Sequence, residues 1–235
     1  DNAYAFLRQL IAAYQPKAEA ETKAIEDYAR QTEGADFQLQ PYDRFFYSAK
    51  MKKAQYSFSD DDVKPYFNLD SVLVNGIFYA AHRVYGLNFR ERTDLPTYHK
   101  DMKVFDVLDS NGKQLALFYC DYFRRPTKRG GAWMSAFLKQ SGDRNQLPLI
   151  YNVCNYAKAP EGQPTLLTWD ETQTTFHEFG HALHGLLSDV RYPTFSGTNV
   201  PRDYVEFPSQ INENWALDPA VLRNYARHID TGEPL

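Results

Sequence analysis

Cysteine is nearly missing from this chain. Cys120 and Cys154 are the only two in 235 residues, and their spacing fits neither a disulfide framework nor a cysteine-built metal site. Both read as small buried apolar side chains, the usual fate of a free cysteine, and a reducing cytoplasm accommodates them. The cytoplasm is therefore the expected location, although an exported form fits the same composition. Long apolar runs are missing too: nowhere do the roughly 18 successive residues needed to cross a bilayer occur, so no membrane partner is expected. A basic excess is lacking as well, since 26 Lys and Arg stand against 30 Asp and Glu for a net charge of −4, which argues against nucleic acid as a partner. No internal repeat and no serine or cysteine nucleophile motif is apparent.

What is present suits a folded protein. An apolar content of 43% with 24% charged residues, over this length, suffices for one large domain with a substantial core. The 17 Tyr and 16 Phe suit peptide side-chain pockets, but core packing accounts for most of them. Apolar residues at helical spacing (Phe6, Leu10, Ile11, Tyr14, Ile25, Tyr28) predict helix over residues 3 to 33, with Pro16 starting a second helix or kinking the first and Gly34 ending it. Further helices are expected from Pro41 to about Lys53 and from Leu69 to Tyr85, stopped by Gly86. The character then changes. Val104–Leu108 and Gln114–Tyr119 flank the turn signal Asp109-Ser-Asn-Gly112, which predicts a hairpin, and Pro148–Tyr156 reads as a further strand. The resulting fold class is α+β, mostly α-helical, with a small antiparallel sheet. A helical segment 1–100 packed on a catalytic region 101–235 is the expected organisation.

The most informative stretch is Thr175-Phe-His-Glu-Phe-Gly-His-Ala-Leu-His184, which contains His-Glu-x-x-His. Thr168-Trp-Asp-Glu171 has capping-box spacing, so a helix should begin there and run to about Ser188. On it His177 and His181 lie one turn apart on one face, where both imidazoles reach a single zinc ion, and Glu178 falls beside the metal's open position. A catalytic zinc needs a third protein ligand. The metzincin continuation fails, because His184 stands where Gly is required and Leu187 where His is required. His184 shares a broad face with the pair but would have to reach back past His181. Glu206 and Glu213, in Asp203-Tyr-Val-Glu-Phe-Pro-Ser-Gln-Ile-Asn-Glu-Asn-Trp215, are the candidates on a second helix. Asp203 is a plausible cap for that helix and Pro208 should bend it; Asp218-Pro219 reads as the cap and first position of a last helix.

These residues resemble the zinc site of the thimet oligopeptidase family. The likeness is carried by His177-Glu-Phe-Gly-His181, Val205-Glu-Phe-Pro-Ser-Gln210 and Phe195-Ser-Gly-Thr198. The stretches Leu39–Asp43, Ala116–Tyr119, Arg129–Met134, Ile150–Tyr156 and Asn199–Phe207 resemble its bacterial peptidyl-dipeptidase branch, so the resemblance covers nearly the whole chain. It implies a gluzincin-type domain with Glu206 as third ligand and one Zn2+. It also implies a longer, monomeric protein of which this chain is the catalytic middle, with substrate-binding His and Tyr residues on a downstream loop. The implied activity is hydrolysis of short peptides by a zinc-bound water with Glu178 as general base, releasing C-terminal dipeptides. An oligopeptidase cutting internal bonds is the runner-up, and a silent zinc- or peptide-binding fragment is the alternative of another class.

Supporting roles follow as expectations. Glu213 or Asp203 would orient a ligating histidine through its other ring nitrogen. Asn152, Val153, Cys154 and Asn155 would present a strand edge to an extended peptide, and Gly197 would let backbone approach the substrate. The basic cluster Arg124, Arg125, Lys128 and Arg129 reads as a solvated loop, with attraction of a peptide carboxylate as the other reading.

Overall fold

Alanine, glutamate and lysine dominate the stretch after Pro16, and such residues propagate a helix well enough to carry it past one lost backbone donor. In the computed structural model, which describes residues 1–57 and 59–235, helix α1 (Asn2–Glu33) accordingly runs on through Pro16 instead of a second helix starting there. Gly34 ends it. Helix α2 (Arg44–Tyr56) begins later than expected because Asp43 Oδ2 accepts from the Gln40 N–H and holds the preceding residues as a turn. Residues Asp1–Asp62 form one compact unit, whose small core is Ile25, Ala29 and Tyr47, with Phe37 edge-on to the Tyr47 ring.

Val63–Leu235 form the other. After the short turn α3 (Asp60–Val63), the expected helical run appears as α4 (Leu69–Ser71), a π-helical stretch Val72–Phe78 and α5 (Tyr79–Tyr85), closed by Gly86 in the left-handed region. The boundary between units falls well before the change of character near residue 100, because this run shares the core of the sheet. Phe78 stacks on Phe89 with ring centroids 3.8 Å apart and meets Phe105 edge-on.

The sheet has five strands in the order β1-β2-β3-β5-β4: β1 (Asn88–Glu91), β2 (Lys103–Leu108), β3 (Gln114–Phe123), β4 (Trp133–Leu138) and β5 (Leu149–Tyr156). The hairpin β2–β3 is as expected, its turn held by Asp109 Oδ1, which accepts from the N–H groups of Asn111 and Lys113. A small antiparallel sheet is not what forms. β5 lies parallel to β3 and antiparallel to β4, so the sheet is mixed. Burial explains the arrangement. β5 has buried residues on both faces and takes the interior place, whereas β4, with Phe137 and Leu138 exposed, takes the edge.

Helix α6 (Trp169–Leu186) lies across one face of the sheet, with Phe179 edge-on to Phe118. Glycine permits the contact. A Cβ at Gly185 would stand 2.7 Å from Ile150 Cδ1 and 2.6 Å from Met134 Cε. Helix α7 (Glu206–Glu213) packs on α6, and α8 (Pro219–Tyr225) follows, capped by Asp218 as its sequence predicts.

Candidate metal centre

Both halves of the expected capping box at the start of α6 are made. Thr168 Oγ1 accepts from the Glu171 N–H at 3.1 Å, and Glu171 Oε2 accepts from the Thr168 N–H at 2.9 Å. His177 and His181 then lie in the helix interior, ring centroids 4.8 Å apart. Side-chain amides brace this part of the helix from two sides: Asn152 on β5 donates to Glu178 O at 2.8 Å, and Asn212 on α7 donates to Phe176 O at 2.6 Å.

The second helix comes close because residue 180 is glycine. A Cβ there would lie 2.6 Å from Ser209 Cα, closer than packed atoms tolerate. That approach delivers Glu206, the first residue of α7. Its Oε2 stands 3.2 Å from His177 Nε2 and 3.1 Å from His181 Nε2, and one ligand atom from each of the three residues lies within 4.8 Å of the others. Ser209 Oγ donates to the same carboxylate at 3.0 Å. Burial pushes the Glu206 carboxyl up, but the Ser209 bond and the two imidazoles outweigh it and hold it below its ordinary value. Burial brings the His181 imidazole below its ordinary value despite Glu206 beside it, which favours the neutral ring that ligates metals.

Glu178 is buried beside these groups, and its Oε2 meets no protein donor. Burial pushes its carboxyl up to about 7; His177 opposes the shift and Glu206 adds to it. The two downstream glutamates fall on opposite sides of His177. Glu206 faces Nε2, while Glu213 Oε1 lies 2.6 Å from Nδ1. A cleft of about 470 Å3, lined by His177, Glu178, Gln173, Glu213 and Ala132, opens beside them.

His184 lies outside the three-residue group; its Nδ1 is buried and its ring faces an apolar hollow with Tyr204. Asp203 is exposed in the turn before α7 and caps nothing, because the chain enters the helix at Val205 in helical conformation. Pro208 falls in the first turn of α7, where its missing N–H would have had no helical partner, so no bend is required of it. Asn152, Val153, Cys154 and Asn155 offer no free strand edge, since β3 and β4 flank β5; the edge strands of the sheet are β1 and β4. Asn155 instead donates to Arg129 O and Gly131 O, and Cys154 lies in the core. Gly197 packs against Gly185 of α6, where a Cβ would stand 3.3 Å from Gly185 Cα. The basic loop is only partly solvated: Arg125 and Lys128 close on the buried Asp121, because a carboxylate taken out of water demands cationic partners. No helix among the described residues is long and apolar enough to cross a membrane.

Two imidazoles one turn apart on a helix and a carboxylate from the next helix aimed at both form a candidate metal site, with a buried carboxyl beside it, the residue types that a metal-dependent hydrolase uses. Zinc fits it, with two nitrogen ligands and one oxygen ligand within reach of a single point. The chain belongs to peptidase family M3, a zinc-dependent metallopeptidase family whose model matches residues 1–235. It is 46% identical to a dipeptidyl carboxypeptidase of Salmonella typhimurium over 233 residues, which is 99% of this chain and 34% of that protein. Against a dipeptidyl carboxypeptidase of Escherichia coli the identity is 47%, over 97% of this chain and 33% of the relative. Against oligopeptidase A of Escherichia coli it is 39%, over 98% and 34%. The chain thus spans about a third of the length of the curated relatives it matches.

Proposed function

We propose that this chain carries the catalytic centre of a gluzincin-type zinc peptidase that releases C-terminal dipeptides from short peptides. The observation that carries the reading is the convergence of His177 Nε2, His181 Nε2 and Glu206 Oε2, with the buried carboxyl of Glu178 alongside. The dipeptide specificity is supported by the higher identity to the dipeptidyl carboxypeptidases than to oligopeptidase A. A cut at internal bonds of short peptides is the second reading, favoured by the 39% identity to the latter.

His177, His181 and Glu206 would hold the zinc, which when bound polarises the scissile carbonyl and acidifies water. Glu178 takes the water's proton as the water oxygen bonds to the carbonyl carbon, then gives that proton to the amine as the C–N bond breaks. Glu213 accepts from the Nδ1–H of His177, which would leave the Nε2 lone pair available to a zinc ion. β4 is an edge strand, and an extended peptide would pair with it as an added strand.

Zinc content and peptide hydrolysis of the full-length protein test this, on wild type, Glu206→Ala and Glu178→Gln. One zinc per chain is expected in wild type and in Glu178→Gln, with little or none in Glu206→Ala. Hydrolysis should fall about 1,000-fold in Glu178→Gln, within the range of general-base catalysis. Undiminished zinc in Glu206→Ala, or undiminished hydrolysis in Glu178→Gln, would sink the reading. Products of free and C-terminally amidated peptides separate dipeptide release from internal cleavage.

A further inference from the structure

Gln173 stands one turn before His177 on the same face of α6. Its Nε2 donates to Glu213 Oε2 at 2.6 Å. The other oxygen of that carboxylate, Oε1, lies 2.6 Å from His177 Nδ1. Both oxygens of Glu213 are therefore engaged by two residues of a single helix. The amide orientation is settled by chemistry, since a carboxylate oxygen can only be met by the nitrogen of the glutamine. A carboxylate held at one oxygen still swivels about its Cγ–Cδ bond. Held at both, it keeps its plane, and with it the direction from which it accepts the His177 Nδ1–H hydrogen bond.

We propose that Gln173 is a positioning residue of the zinc centre: by clamping Glu213 it sets the orientation of the His177 ring and hence of Nε2. This rests on the reading of His177, His181 and Glu206 as zinc ligands. Gln173, Glu213 and His177 all line the same cleft, where water can replace a lost donor, so the effect should be smaller than that of Glu213 itself.

The test is zinc affinity of the full-length protein by competition with a chromophoric chelator, alongside the melting temperature of the metal-free form. Gln173→Met keeps the length of the side chain and removes the donor, while Gln173→Arg restores an N–H donor. Gln173→Met should weaken zinc binding about 3- to 10-fold, against about 10- to 100-fold for Glu213→Gln, the usual cost of losing a group that orients a ligand. Its metal-free melting temperature should not change, and Gln173→Arg should recover wild-type affinity. Wild-type affinity in Gln173→Met overturns the proposal, even with Glu213→Gln impaired. A parallel loss of affinity and melting temperature that Gln173→Arg does not restore also overturns it, because that marks packing. Failure of the wild type to bind zinc overturns the ligand reading underneath, before any Gln173 variant is compared.

Discussion

Two clusters of charged side chains sit on this sheet and its helix, and they are built on opposite rules. Around Asp121 on β3 every acceptor meets a donor. Arg125 forks onto both carboxylate oxygens at 2.7 and 2.6 Å, Lys128 Nζ donates at 2.9 Å, and the Tyr98 hydroxyl donates at 2.7 Å. Burial pushes the Asp121 carboxyl up, but these donors outweigh it and bring it to about 2. At the α6–α7 contact no Lys or Arg answers the carboxylates. Two imidazole nitrogens and a glutamate oxygen point at one another, with a second carboxyl beside them whose buried oxygen meets no protein donor. A cluster whose charges are answered from within is complete and holds the fold. One whose possible ligand atoms converge is suited to a cation from outside.

Three measurements would break or sharpen this contrast. The largest effect on folding is expected from Asp121→Asn, which leaves the buried Lys128 ammonium and the half-buried Arg125 without their carboxylate. Lys128, with a side chain only 4% exposed, has least access to water. Urea unfolding should show a loss of about 3–5 kcal/mol, the usual cost of breaking a buried pair from one side. Zinc affinity should not change, and a loss of zinc would mean that the two clusters are not separate.

The next effect distinguishes the clusters by the sign of their pH dependence. Glu178 titrates at about 7 in the folded, metal-free protein and from its ordinary value of 4.5 when unfolded. The folded state thus holds this proton more tightly. Its contribution to stability is complete below pH 4.5 and is lost as pH rises to 7, by at most about 3 kcal/mol. Asp121 runs the other way, because its folded value lies below the ordinary 3.8; its contribution is present above that pH and is lost as pH falls toward 2. Unfolding of the metal-free protein between pH 4.5 and 7 should therefore lose one component of its slope in Glu178→Gln and keep it in Asp121→Asn. An unaltered slope in Glu178→Gln would place that titration elsewhere.

The smallest expected effect comes from Gly180→Ala, whose Cβ would meet Ser209 Cα at 2.6 Å and Asn212 Cβ at 2.9 Å. Overpacking of this kind costs about 1–3 kcal/mol. Because α7 carries Glu206, zinc affinity should fall with it. A chain destabilised to that degree but binding zinc as before would show that the spacing of α6 and α7 does not govern the site.

Much of this could be read along the chain. The capping box at Thr168, the His177/His181 pair and the Asp218-Pro219 cap involve residues within four positions of one another, and so does the Asp109–Gly112 turn. Local hydrogen bonding and helical periodicity are enough to reveal them. Strands β1 and β4 were not visible. The first is four residues long and half exposed, and the second is a short apolar run in which periodicity alone does not separate strand from helix. The burial of Lys128, the braces Asn152 and Asn212, and the clamp by Gln173 were equally hidden, because each depends on a partner remote in sequence or on how a loop folds back.

The sequence by itself therefore determined the helix that carries His177, Glu178 and His181, and the chemistry those residue types bring. On spacing alone it left Glu206 and Glu213 as equal candidates, and only the resemblance to a known family preferred Glu206. Tertiary structure decided which nitrogen of His177 each glutamate meets, which strands lie at the edges of the sheet and which charges are neutralised inside the fold. Those outcomes depend on the close approach of α6 and α7 at Gly180 and on the interior place of β5, and both are set by packing between segments far apart in the chain.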